Sequence, residues 1–157
     1  MAINDDIIIG IVFLIILFFL ERKEADVKFY KNLEIKDLTV PATIFINAIL
    51  VELERKYPCR KAYSFEIKYY NTKSVMGKYF FNNNNMVIYL TRNNKLLEIT
   101  DTVIHEYCHH LQNHSKKQDI NFALKLYETE YENHPWEVEA REFASCLSLK
   151  ILKKIIK

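Results

Sequence analysis

The pentapeptide His105-Glu106-Tyr107-Cys108-His109 concentrates the side chains of this chain best suited to chemistry. Its two histidines are four residues apart. A helix turns by about 100° per residue, so positions i and i+4 differ by only about 40° and both imidazoles face one way. Two such rings can hold one metal ion. Glu106 is turned about 100° from its histidine neighbour, which sets a carboxylate beside the ion rather than on it. From there it can take a proton from a water activated by a metal such as zinc and hand it to a leaving amine.

A zinc ion that does chemistry needs a third protein ligand and one open position. The best source is the segment Pro135-Trp136-Glu137-Val138-Glu139-Ala140-Arg141-Glu142-Phe143-Ala144. Glu137 falls in the first turn of a predicted helix, where a carboxylate also favours the positive end of the helix dipole. Glu139 is the nearest rival. It sits about 200° away around the helix, so only one of the two can face the ion, and the sequence leaves both open. His134, Tyr131 and Arg141 are candidate stabilisers of a developing oxyanion, with Tyr127 behind them. Asp101, one turn before His105, reads as a solvated helix residue. His110 and His114 read as surface or packing, and Cys108 and Cys146 as core thiols.

The pair HEYCHH and PWEVEAREFA resembles the gluzincin metallopeptidases, in which HExxH is followed by a glutamate on a later helix. The short interval from His109 to Glu137 looks like the minimal gluzincins. It is also similar to the membrane gluzincins that include the CAAX-prenyl endopeptidases, and to phage-type peptidases with an ExEA segment. In those families the ligand is the first Glu of an ExxA(D/N) pattern, which matches Glu137 here, with Ala140 as the Ala. Arg141 stands where the family often has Asp or Asn. The resemblance covers roughly residues 40–155. It implies a zincin-like fold, one zinc ion on His105, His109 and Glu137, peptide-bond hydrolysis with Glu106 as base and acid, and protein or peptide substrates. It also implies a rim strand that binds extended substrate by strand addition, a role that Met86–Leu90 fits. The alternative is a non-catalytic or latent zinc-binding membrane protein acting as an interaction module, its metal shell closed by His134 or Cys108.

These residues need elements to hold them. Thr39-Val40-Pro41 starts a predicted helix over about 40–57 that stops at Pro58. The period then changes to two. Tyr63, Phe65, Ile67 and Tyr69 alternate with polar residues as a half-buried strand. Val75–Phe81 and Met86–Leu90 make two more strands, with Asn82–Asn85 as the turn between them, and the three predict a small antiparallel sheet. From Asn94 the period returns to 3.6, with apolar rows on the side of the helix away from the histidines. Residues 119–131 read as helical. Asn133-His134-Pro135 starts a last helix with Trp136, Ala140, Phe143, Leu147 and Ile151 as its buried row. The expected class is α+β, with the three-stranded sheet packed on the motif helix and the glutamate helix.

The 157 residues are the size of one domain, and half are hydrophobic. A formal net charge of +2 gives no electrostatic case for nucleic acid, and none is expected as a partner. Three widely spaced cysteines read as free thiols in a reducing compartment. Ile7–Leu20 is uncharged and apolar all round. With its flanks it approaches the roughly 30 Å needed to span a bilayer. The acidic start argues against a cleaved signal peptide. Residues 1–22 are therefore expected to be a single membrane-anchor helix and 23–38 a connector to the domain at 39–157. Arg22, Lys23, Lys28 and Lys31 follow the run and no Lys or Arg precedes it, which puts the domain on the cytoplasmic side.

Overall fold

A computed structural model describes residues 23–69, 76–91, 94–114 and 133–156. The expected anchor over 1–22, the helical reading of 119–131, and Tyr127 and Tyr131 lie outside them. Among the described residues, no helix is long and apolar enough to cross a membrane.

The protein is α+β, as its pattern predicts. Residues 23–32 are helical. They lead into a stretch that crosses the start of the motif helix, where the Leu96 amide donates to the Leu33 carbonyl at 2.9 Å and Glu34 bridges Lys95. Helix α1 (Ala42–Lys56) follows Pro41, whose missing N–H is no loss at a helix start. It buries Phe45, Ile46, Ile49, Leu50 and Leu53 and leaves Ile44 and Val51 on the outside. Strands β1 (Ser64–Tyr69), β2 (Gly77–Phe80) and β3 (Asn85–Leu90) form one sheet. Helix α2 (Leu96–His114) packs against the sheet, and α3 (Pro135–Ile155) packs against α2 and α1, so the expectation that the sheet also packs on the glutamate helix is corrected.

The sheet is mixed, and the expectation of an antiparallel one is corrected. Its order is β1-β3-β2; β2 runs antiparallel to β3, and β1 pairs with β3 in parallel from Ser64↔Asn85 to Tyr69↔Leu90. Period-two alternation shows that a segment is a strand but not which way its neighbour runs. The positions follow from burial. β3 buries Met86, Val87, Ile88 and Leu90, side chains on both faces, and so takes the centre. β1, with a polar face, takes an edge. Parallel strands need a long connection, and here β2 is its return leg. Only β2 and β3 are joined by a tight turn, in which Asn84 adopts φ +53, a left-handed conformation that Asn tolerates.

α2 is the middle of the molecule. Glu98 reaches back to the Lys95 amide at 3.2 Å across its first turn. Leu96, Ile99, Val103, Ile104 and Tyr107 enter the core. The opposite face is not left to solvent. β2 and α3 cover it, so that Glu106 and His109 are buried with the apolar rows. On α3, Ala140 and Ala144 are fully buried, and two small side chains in succession allow the helix close to its neighbours. Glu52 on α1 is buried too, held by Arg55 at 2.9 Å and by Lys154 of α3 at 2.6 Å.

Candidate metal centre

α2 carries His105 and His109 on one face, as i and i+4 require, and α3 brings Glu137 to them from its first turn. His105 Nε2 lies 3.1 Å from His109 Nε2 and 3.1 Å from Glu137 Oε2, and Glu137 Oε1 lies 3.2 Å from His109 Nε2. These three residues form a group whose ligand atoms are within reach of one metal ion. A tetrahedral zinc with bonds of about 2.1 Å sets its ligand atoms about 3.4 Å apart. The observed triangle is a few tenths of an ångström tighter, and two imidazoles with one carboxylate are a donor set that suits zinc. Among the described residues, no fourth side chain joins the group.

Of the two glutamates, Glu137 is the one that joins the group. Glu139 instead accepts a hydrogen bond from Gln112 Nε2 at 3.0 Å. Gln112 is buried on α2. Its amide nitrogen also donates to the Trp136 carbonyl at 3.0 Å, and its Oε1 lies 2.8 Å from His109 Nδ1. The contact on Nδ1 leaves Nε2 as the nitrogen that faces His105 and Glu137.

Electrostatics follow burial and the company of charges. Burial pushes the Glu106 carboxyl above its usual range, and the charge of Glu137 adds to this. His109, His105 and the Tyr79 N–H, which donates to it, pull the other way. Burial lowers the His109 pKa, but hydrogen bonds to Glu137 and Gln112 and the charge of Glu106 outweigh it and the net shift is upward.

β2 forms one wall of the site. The Tyr89 amide donates to the Met76 carbonyl at 2.8 Å. By the alternation of an antiparallel pair, residues 76, 78 and 80 aim their backbone groups at β3, and Gly77 and Tyr79 turn theirs toward Glu106. Gly77 passes so close that an added Cβ would lie 2.7 Å from Glu106 Oε1 and 2.6 Å from Thr102 Cγ2. A cleft of about 750 Å³ opens here, lined by β2, its turn, Glu106, His109 and Glu137. Phe81 stacks on Trp136 at 5.6 Å between centroids and sits 6.0 Å from the His109 ring. Asn113 Nδ2 donates to the Phe81 carbonyl at 3.1 Å and to Asn84 Oδ1 at 3.2 Å, and His114 Nε2 meets the same Oδ1 at 2.8 Å. The end of α2 thus ties down the turn beside the cleft.

Other sequence candidates fall as follows. His134 is buried at the N-cap of α3, its pKa lowered by burial, with its ring 6.4 Å from Trp136. Arg141 is exposed one turn beyond Glu137. Asp101 is exposed but accepts from Ser148 of α3 at 3.1 Å, so it joins helices rather than orienting a ligand. His110 is fully buried between Tyr79 Oη and the Lys61 carbonyl, a packing role. Cys108 is a core thiol, pushed up to about 12 by burial. Cys146 is exposed, which corrects its assignment to the core: it sits on α3 opposite the Ala140–Ala144 face.

Gln112 and Gly77 were not foreseen. Gln112 lies three residues after His109 on the same helix face, a signal that helical phase alone could have raised. Gly77 is one of only two glycines in the chain, and a lone glycine in a strand marks close backbone approach. Comparison with protein-family models, curated proteins and solved structures finds no match for this chain.

Proposed function

We propose that the protein is a zinc-dependent endopeptidase of gluzincin type, tethered to a membrane by residues 1–22 with its domain on the cytoplasmic side. The observation that carries this reading is the meeting of Glu137 with His105 and His109 while Glu106 stands beside them, buried, at the floor of an open cleft. Zinc, when bound, supplies Lewis acidity: it polarises a carbonyl and acidifies water toward about pH 7.

The remaining work falls to the chain. Glu106 accepts the proton of the attacking water at its carboxylate. The water oxygen bonds to the scissile carbonyl carbon, the C–N bond breaks, and the same proton leaves on the amine nitrogen. The raised pKa of Glu106 suits a group that must both take and return a proton. Extended substrate lies along β2, whose Gly77 backbone faces the cleft. Met86–Leu90 does not fit the rim role given to it, because β3 is paired on both sides. Phe80 and Phe81 offer apolar surface to substrate side chains.

The test compares wild type with Glu106→Gln on an unfolded fluorogenic protein substrate, with zinc content measured in parallel. The variant should keep one zinc and lose roughly 10²–10⁴-fold in turnover. Full activity in Glu106→Gln rules out the mechanism. Zinc binding with no turnover in wild type points to the interaction-module reading, in which the metal joins α2 to α3.

A further inference from the structure

We infer that Gln112 is a positioning residue that fixes the tautomer of His109 and sets the first turn of α3 against α2; this rests on the metal-site reading proposed above. The argument begins with what a primary amide can do. It has two donors on nitrogen and an acceptor on oxygen. Gln112 is buried, and its nitrogen lies 3.0 Å from the Trp136 carbonyl and 3.0 Å from Glu139 Oε2. Both partners are acceptors only. The NH₂ end must therefore face α3, because the reversed amide would set Oε1 against two oxygens.

Oε1 is then committed to His109 Nδ1, 2.8 Å away. An oxygen cannot donate, so Nδ1 carries the hydrogen. With Nδ1–H fixed on Gln112, Nε2 is the nitrogen turned to His105 and Glu137, and a metal ion there would take its lone pair in place of the hydrogen now shared with Glu137. The same side chain grips the carbonyl of Trp136, the residue just before Glu137. One amide thus aligns two of the three ligands from different helices. Glu139 polarises it from outside. Although it does not face the ion, Glu139 acts on it through Gln112 and His109.

The test uses the full-length zinc-loaded chain in detergent, labelled with ¹⁵N at its five histidines. Two-bond ¹⁵N–¹H correlations should show His109 in wild type with its hydrogen on Nδ1, slow to exchange with solvent. In Gln112→Leu that N–H should exchange faster. Zinc affinity, measured by competition with a chromophoric chelator, should fall roughly 10–100-fold in Gln112→Leu. Glu139→Gln still offers an oxygen to the amide and should lose less. An unchanged affinity in a folded Gln112→Leu overturns the inference and leaves the metal site standing. A wild-type chain that binds no zinc overturns the metal site itself. If Gln112→Leu does not fold, the wild-type spectrum decides: a zinc-loaded His109 with no hydrogen on Nδ1, or with one that exchanges as fast as in a solvent-exposed ring, overturns the inference.

Discussion

Gly77→Ala adds one methyl group at the place where β2 passes over Glu106. The new Cβ would sit 2.7 Å from Glu106 Oε1, 2.8 Å from Glu106 Cγ and 2.6 Å from Thr102 Cγ2. To restore an ordinary contact of about 3.4 Å, the Glu106 carboxylate must retreat by about 0.7 Å, or β2 must lift away by a similar distance. Either movement spoils the approach of the base to the reacting water. A misplacement on the order of 1 Å costs roughly 10²-fold in rate. Overpacking also costs about 1–3 kcal/mol of stability. The two effects separate in a second variant. Thr102→Ser removes the Thr102 methyl but leaves the Glu106 contact, so the double variant should recover much of the stability and little of the turnover. The assay is kcat/KM on an unfolded fluorogenic substrate, beside zinc content and chemical denaturation. The three nearest atoms belong to Thr102 and Glu106 and none to His105, His109 or Glu137, so zinc content should hold. Gly77→Ala with intact zinc and kcat/KM within about threefold of wild type refutes the reasoning.

Asn84→Ala should destabilise the protein by about 1–3 kcal/mol, because it strips an acceptor from Tyr79, Asn113 and His114 and strains a positive φ. Asn84→Gly keeps the backbone relaxed, so the difference between the two variants in urea denaturation isolates the strain. Glu137→Gln should lose most of its zinc on dialysis against a chelator that wild type resists; retention equal to wild type would remove Glu137 from the ligand set. The Glu52 carboxyl is held down to about 2, first by its hydrogen bond to Arg55 and then by Lys154. A depressed carboxylate stabilises the fold above its unfolded pKa, and that contribution is lost as pH falls through the folded value. Glu52→Gln should therefore be less stable than wild type at pH 7, with the gap closing between about pH 4.5 and 2, and a gap independent of pH would exclude this role.

Legibility in the sequence followed the kind of physics each element depends on. His105, Glu106 and His109 were placed by helical phase, which is local. Glu137 was separable from Glu139 only by tertiary packing, because both lie in one turn and the choice depends on which side of α3 meets α2. α1, the strands and α3 were visible as changes of period. Sheet direction was not, since β1 pairs with a strand beyond its successor, and for the same reason β3 is a central strand and β2 an edge. The polar face of α2 carries the alternating pattern of an exposed helix. It is buried because Glu106, His109 and Gln112 find partners on β2 and α3 rather than water. Cys146 was misplaced because small residues on a helix pattern weakly: Ala140, Ala144 and Ser148 form the packed row, and a cysteine beside them adds nothing to distinguish the sides.

The split of the ligand set between α2 and α3 has a consequence for synthesis. A chain leaves the ribosome from its N-terminus, so the sheet and the histidine pair emerge before the helix that carries Glu137. At about 5–20 residues per second, the two histidines wait for some seconds with their third partner still unmade. On the proposed reading, a hydrolase so built would stay inert toward its own nascent chain and toward others emerging nearby, and would acquire its activity only as α3 docks.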